Sequence, residues 1–173
     1  VETAHLRLRP FRPADIPAYA AIRAKPQVVR YLPGGAARAA EAAAFAAETV
    51  PRFIRAWRDA PGYGPWAVEE KASGRLLGHA GLRLFPDGSG ETEVLYLLDA
   101  SAWGRGLATE AAAAARDFAF VELRLPYLIG YVHPQNHASQ RVLEKIGMIC
   151  EPKPVEVLGL TAWRYTLAQT PVE

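Results

Sequence analysis

Residues 102 to 120 read "AWGRGLATEAAAAARDFAF", two glycines around an arginine followed at once by an alanine-rich run. In that run Leu107, Ala111, Ala114, Phe118 and Val121 recur at spacings of three and four, which predicts a helix with one apolar face. A glycine turn opening directly into a helix leaves bare main-chain N–H groups at the positive end of the helix dipole. Such a turn asks for an anion, and the segments around it decide what fold presents it.

Upstream, "YGPWAVEE" (63–70), "RLLGHAGLRLF" (75–85) and "ETEVLYLLD" (91–99) are separated by the turn compositions "KASG" and "PDGSG" and predict an antiparallel meander. In the third strand Glu93, Leu95 and Leu97 share one face and Val94, Tyr96 and Leu98 the other. It is apolar on both sides and belongs in the middle of the sheet. Downstream, "PYLIGYVH" (126–133) is another buried strand. The helix between them makes this pair parallel through a right-handed crossover. Ligands of such units bind at the carboxyl ends of the strands, where the glycine turn lies.

"NHASQRVLEKIGM" (136–148) is a second amphipathic helix, capped by Asn136, ended by Gly147 and turning Val142, Leu143 and Ile146 inward. At the start, "AHLRLRPF" reads as a first strand and "ADIPAYAAIRAK" as a short helix. After the "LPGG" turn, residues 36–58 predict helix, interrupted or restarted at Pro51. "ICEPKPVEVLGLTAWRYTL" closes the chain as two strands about "GL". The expectation is one domain over residues 1–173, of α/β (α+β) class, with a mixed, mostly antiparallel sheet of about seven strands and about four flanking helices.

Half of the 173 residues are hydrophobic and 22% are charged, a globular composition. Lys and Arg number 20 against 18 Asp and Glu, so the formal charge of +2 provides no field to hold a nucleic acid, and no strand interleaves aromatic with basic residues. Cys150 stands alone, which rules out an internal disulfide and a cysteine-rich zinc site and fits a reducing compartment. No apolar run reaches membrane-spanning length, and "VETAHLRLRPFRP" lacks a secretory layout. The expectation is a cytoplasmic protein with no membrane, nucleic-acid or metal partner.

Three phosphate-binding designs use glycines this way. A P-loop needs Lys and then Ser or Thr after its last glycine, where this chain has Leu107 and Ala108. A dinucleotide fingerprint needs a small residue at position 109, occupied by Thr109, and an acid at a strand end about twenty residues on. Glu122 falls at a helix end instead. The third design wraps a pyrophosphate with consecutive N–H groups of a helix's first turn. Gly104, Gly106 and Ala108 keep side chains off the approach, and the first acid is Glu110. At about 1.5–3 kcal/mol for each charge-assisted bond, a few such bonds hold a pyrophosphate without metal.

Three ordered segments, "TAHLRLRPFRPADI" (3–16), "EVLYLLDASAWGRGLATEA" (93–111) and "NHASQRVLEKIGM", resemble the GNAT acyltransferase superfamily. The resemblance is to the branch containing ribosomal-protein N-terminal acetyltransferases and covers nearly the whole chain. It implies a GNAT fold with a central splayed parallel pair, and acetyl-coenzyme A as cosubstrate. It implies N-acetyl transfer to a primary amine by direct attack in a ternary complex. By that resemblance the main chain at Tyr96 and Leu98 pairs with the pantetheine arm and a strand N–H near Leu98 meets the oxyanion. Trp103, Gly104, Arg105, Gly106, Leu107, Ala108 and Thr109 surround the pyrophosphate. Asn136 also touches pantetheine. Two positions depart from the superfamily: Trp103 replaces a common Gln or Arg, and Leu143 stands where many members place a catalytic Tyr. The branch offers Ser139 in its stead, as the group that meets the departing sulfur.

Each residue also has a structural explanation. Asn136 serves equally as a helix cap, Ser139 as a small residue packing helix on sheet, Trp103 as a core anchor and Arg105 as a solvated turn residue. His133 and His137 flank the same loop without metal-ligand spacing. For the proton that the attacking amine must lose, Glu93 is the candidate base, placed at the start of the central strand beside the cleft. Its alternative is a solvent-facing carboxylate, and an α-amine with pKa near 8 is partly neutral unaided. The acceptor is a protein N-terminus or a small-molecule amine, walled by residues 25–58 and 152–165, with Tyr31, Trp57, Trp66 and Trp163 as aromatic candidates. A coenzyme-binding or regulatory module without catalysis is the competing reading, and exposed strands or the C-terminal hairpin offer a homodimer contact.

Overall fold

Strands joined by short turns pair with their sequence neighbours. The structure, a computed structural model that describes residues 1–169, follows this rule from its second strand to its fourth, and the first strand pairs with the second across the intervening helices. β1 (Leu6–Arg9), β2 (Gly64–Glu70), β3 (Leu76–Leu84) and β4 (Thr92–Leu98) lie side by side, each antiparallel to the next. β5 (Tyr127–Val132), β6 (Ile149–Cys150), β7 (Val155–Val157) and β8 (Leu160–Ala168) complete the sheet. Its order is β1-β2-β3-β4-β5-β8-β6, with β7 paired to β8. The strand expected before the "GL" turn is divided into the two-residue β6 and the three-residue β7, which makes eight strands where about seven were expected.

The β4–β5 junction is parallel and registers at a single pair, Glu93 with Ile129. Beyond that pair, towards their carboxyl ends, the strands part company. Each then has main-chain groups facing a wedge rather than a neighbour, and that wedge positions the site described below.

The helices α1 (Ile16–Arg23), α2 (Pro26–Val29), α3 (Ala42–Asp59), α4 (Leu107–Val121) and α5 (His137–Lys145) divide between the two faces. α4 and α5 cover the face of Val94, Leu98, Leu128 and Val132. α1 and α3 cover the other face, where Phe11, Tyr19, Ala46 and Val50 pack with Ala67. No helix among the described residues is long and apolar enough to cross a membrane.

Local expectations needed three corrections. α4 buries Leu107, Ala111 and Ala114 and packs Phe118 against Trp66 as the spacing predicts, and it also buries Ala112, Ala115 and Ala119, whereas Val121 is 69% exposed at the helix end. The additional alanines widen the buried stripe and let the helix axis approach the sheet closely, and the last turn, with Val121, runs out past the sheet. α3 runs unbroken through Pro51, although an interior proline costs about 3 kcal/mol, because Ala46 and Val50 are buried and Phe53 packs beside them. Residues 35–41 form a 3-10 segment rather than α-helix, opening at Gly34 and Gly35 with φ of +83° and +61° and no side-chain cap.

Candidate functional site

Where β4 and β5 diverge, a cavity of about 430 Å³ opens between the strand ends, the glycine turn and the first turns of α4 and α5. Ten of the sequence-predicted residues converge on it: Tyr96 and Leu98 from β4, Trp103, Gly104, Gly106, Leu107, Ala108 and Thr109 from the turn and α4, and Asn136 and Ser139 from the start of α5. Glu93 and Arg105 are not among its walls.

The turn has the backbone that an anion needs. Gly104 and Gly106 sit at φ +74° and +78°, left-handed conformations that strain any residue with a Cβ. Nothing lies within 4 Å of where a Cβ would stand on either, so the turn faces open space. The first hydrogen bond of the α4 ladder runs from Glu110 N–H to the Gly106 carbonyl at 3.0 Å. Among the described residues, the N–H groups from Gly104 to Thr109 find no protein acceptor. They are the orphan donors of a helix start, extended backwards by the turn.

Glu110 and Asp99, the carboxylates nearest the turn in sequence, are engaged by other partners. Glu110 accepts from Thr3 Oγ1 at 2.5 Å and His5 N at 2.8 Å, and its other oxygen lies 2.8 Å from His5 Nδ1. Burial pushes its pKa up, but these hydrogen bonds prevail and hold it below the usual carboxylate range. Asp99 is buried, bonded to Lys25 Nζ at 2.5 Å and to Ser101 N at 2.7 Å, and also titrates low because these bonds outweigh burial. No Asp or Glu lines the cavity, while Arg141 and Lys145 of α5 do. Sequence reasoning overlooked that pair, four residues apart on one helix face, because solvated basic side chains are common on such faces.

The remaining predicted residues divide by what they touch. Arg105 reaches back to Glu70, so its side chain anchors the turn to β2. Trp103 is 50% exposed, not a core anchor. Its indole N–H donates to the Leu98 carbonyl at 3.0 Å and its ring walls the cavity, because the turn lies beyond the carboxyl end of β4 rather than over the core. Asn136 caps α5 by accepting from Ser139 N at 3.2 Å. The Ser139 hydroxyl lies 2.8 Å from the Tyr96 phenol oxygen. Glu93 is buried and accepts from Arg83 Nε at 2.6 Å; burial pushes its pKa up and Arg83 opposes this.

Of the aromatic acceptor candidates, Tyr31 lines the cavity and stacks on His133 with ring centroids 5.1 Å apart. Trp66 is core, Trp57 packs on it, and Trp163 packs against the same cluster. Tyr131 and His133 join the cavity wall from β5 and its exit. Neither was picked as a liner from sequence, since only the strand's face assignment identifies them.

A family model described as acetyltransferase (GNAT) domain matches residues 5–149. An acetyltransferase of Agrobacterium tumefaciens str. C58, known by crystal structure, is 32% identical over 98% of this chain and 94% of that one, with a TM-score of 0.78. Uncharacterized protein YkkB of Bacillus subtilis is 38% identical over 107 residues, 56% of this chain, and the match spans 61% of that relative's length. RimJ of Mycobacterium smegmatis, solved in complex with CoA-disulfide, shares the fold at a TM-score of 0.75 and 23% identity, over 94% of this chain and 81% of that one.

Proposed function

The chain belongs to the acetyltransferase (GNAT) domain family, and from that premise we propose that it transfers an acetyl group from acetyl-coenzyme A to a primary amine, a protein N-terminus or a small-molecule amine. The observation that carries this reading is the run of unpartnered N–H groups from Gly104 to Thr109, opening on a cavity that no carboxylate lines. Such a cradle fits a pyrophosphate, and the cations of Arg141 and Lys145 in the same cavity wall add to the attraction. The wedge between β4 and β5 fits an amide-bearing arm, because strand edges there have no neighbour to pair with.

Acetyl-coenzyme A supplies the activated acyl group as a thioester. The protein's part is positioning and electrostatics. Main-chain N–H groups and the two α5 cations hold the phosphates, the parted strand edges align the arm, and Ser139 from α5 faces the departing sulfur. Trp103 walls the cavity while its indole is fixed to the Leu98 carbonyl. An α-amine near pKa 8 is neutral in a useful fraction at pH 7, so a water suffices to take its proton. What supports water over Glu93 is the Arg83 ion pair, together with the absence of Glu93 from the cavity wall. The acceptor enters past Tyr31 and His133, which stack on each other in the cavity wall.

Calorimetry with acetyl-coenzyme A, followed by thiol release and mass gain over a panel of peptides and small amines, tests the proposal. One acetyl group gained on one acceptor class is the expected result. Coenzyme binding without thiol release on any amine would leave a binding module, and no coenzyme binding would refute the site.

A further inference from the structure

We propose that the side chain of Tyr96 positions the Ser139 hydroxyl against the sulfur that leaves during transfer, so that strand β4 supports a step for which α5 offers no tyrosine. The inference rests on the acetyl-transfer reading above. The phenol oxygen of Tyr96 lies 2.8 Å from Ser139 Oγ and 3.0 Å from the Ser139 carbonyl oxygen. Both residues line the cavity. The contact joins β4 to α5 alongside the wedge.

Hydrogen accounting makes the contact more than packing. The Ser139 carbonyl only accepts, and Tyr96 has one hydrogen to give. If that hydrogen goes to the carbonyl, the serine hydroxyl can satisfy itself by donating to the phenol oxygen, and its hydrogen points away from the cavity. If the phenol donates to Oγ instead, the serine hydrogen is released towards the cavity. A developing negative charge beside Oγ favours the second arrangement, so the phenol stabilises an anion that it never touches. Burial keeps the phenol protonated well above its ordinary range, so it stays a donor throughout.

The step balances without a proton leaving either hydroxyl. The amine nitrogen forms a bond to the carbonyl carbon, and the carbon–sulfur bond breaks with its electron pair on sulfur. The nitrogen's surplus proton goes to water. The sulfur leaves as a thiolate, hydrogen-bonded by Ser139 and protonated by water after release. Tyr96 is thus a positioning residue acting through Ser139.

Tyr96→Phe keeps the ring and deletes the oxygen. Measured with the best acceptor of the panel, kcat should fall about tenfold, the scale of one hydrogen bond made in the transition state, with calorimetric affinity for acetyl-coenzyme A unchanged. Ser139→Ala should lower kcat at least as far, and Tyr96→Phe combined with Ser139→Ala no further than Ser139→Ala alone. Ser139→Thr, which restores a hydroxyl, should regain sensitivity to Tyr96→Phe. Multiplying losses in the double variant, a normal kcat for Tyr96→Phe, or a loss of coenzyme affinity parallel to the loss in kcat would each overturn the proposal while acetyl transfer stands. Absence of transfer by the unaltered protein would remove the reading beneath it.

Discussion

Glu93 on β4 and Arg83 on β3 are register partners, and their side chains meet at 2.6 Å between Oε2 and Nε. The carboxylate is buried and the guanidinium is partly exposed, so the pair is a buried anion tethered by a cation at the surface. A carboxylate in that position helps order the sheet beside the wedge without reaching into the cavity. Glu93→Gln should therefore leave kcat within about threefold, a change under 1 kcal/mol in barrier. A fall of a hundredfold with unchanged coenzyme affinity would make Glu93 the base after all. Arg83→Met strands the buried carboxylate and should lower stability in urea melts by about 2–3 kcal/mol.

Gly106 sits at φ +78° with open space where a Cβ would point. Gly106→Val should cost about 1–2 kcal/mol of stability from the left-handed backbone. The larger effect falls on the coenzyme, since the valine side chain enters the space that the turn's N–H groups face. Calorimetric affinity for acetyl-coenzyme A should drop by more than tenfold, and an unchanged affinity would move the anion site elsewhere.

Arg141 and Lys145 line the cavity in which no acid stands. Replacing either with Gln should weaken coenzyme binding by about fivefold, near 1 kcal/mol for a partly solvated charge contact. The loss should shrink as salt rises from 0.05 to about 0.5 M, because screening already weakens the contact in the unaltered protein. Arg105→Ala is the control. Its guanidinium is bound to Glu70, so coenzyme affinity should hold within about twofold.

His79 is buried on the other face of the sheet, with Nδ1 3.0 Å from the Tyr19 hydroxyl. Burial, then the charges of Arg23 and Arg83, lower its pKa from 6.5 to about 3. Unfolded chains bind a proton at this histidine below about pH 6.5 and folded ones do not. Stability contributed by the neutral ring is therefore complete above pH 6.5 and lost as pH falls towards 3, by at most about 1.4 kcal/mol per pH unit. Urea unfolding at pH 7.0, 6.0 and 5.0 should show that slope, and His79→Gln should flatten it.

Much of the framework is legible in the sequence. "KASG" and "PDGSG" left β2, β3 and β4 nowhere to go but alongside each other, and the helix after Leu98 forced β5 to run parallel. The Gly104–Thr109 cradle was legible for the same reason, since N–H groups at a helix start lack partners in any context. Trp103, Arg105 and Glu93 were harder. For each, residue type admitted two environments, core or edge, phosphate or carboxylate, cleft or neighbouring strand. The choice fell to Leu98, Glu70 and Arg83, and only Leu98 is close by in sequence.

Local chemistry in the chain determined the turn, its positive φ angles, its bare donors and the direction of the strands around it, because those properties depend on a few adjacent residues. Tertiary structure alone decided that β4 and β5 keep one registered pair and then separate, and that Tyr96 meets a serine 43 positions away. The physical reason is reach. A hydrogen bond requires its atoms within about 3 Å, and whether segments distant in sequence come that close is set by how the whole sheet twists and how the helices pack on it.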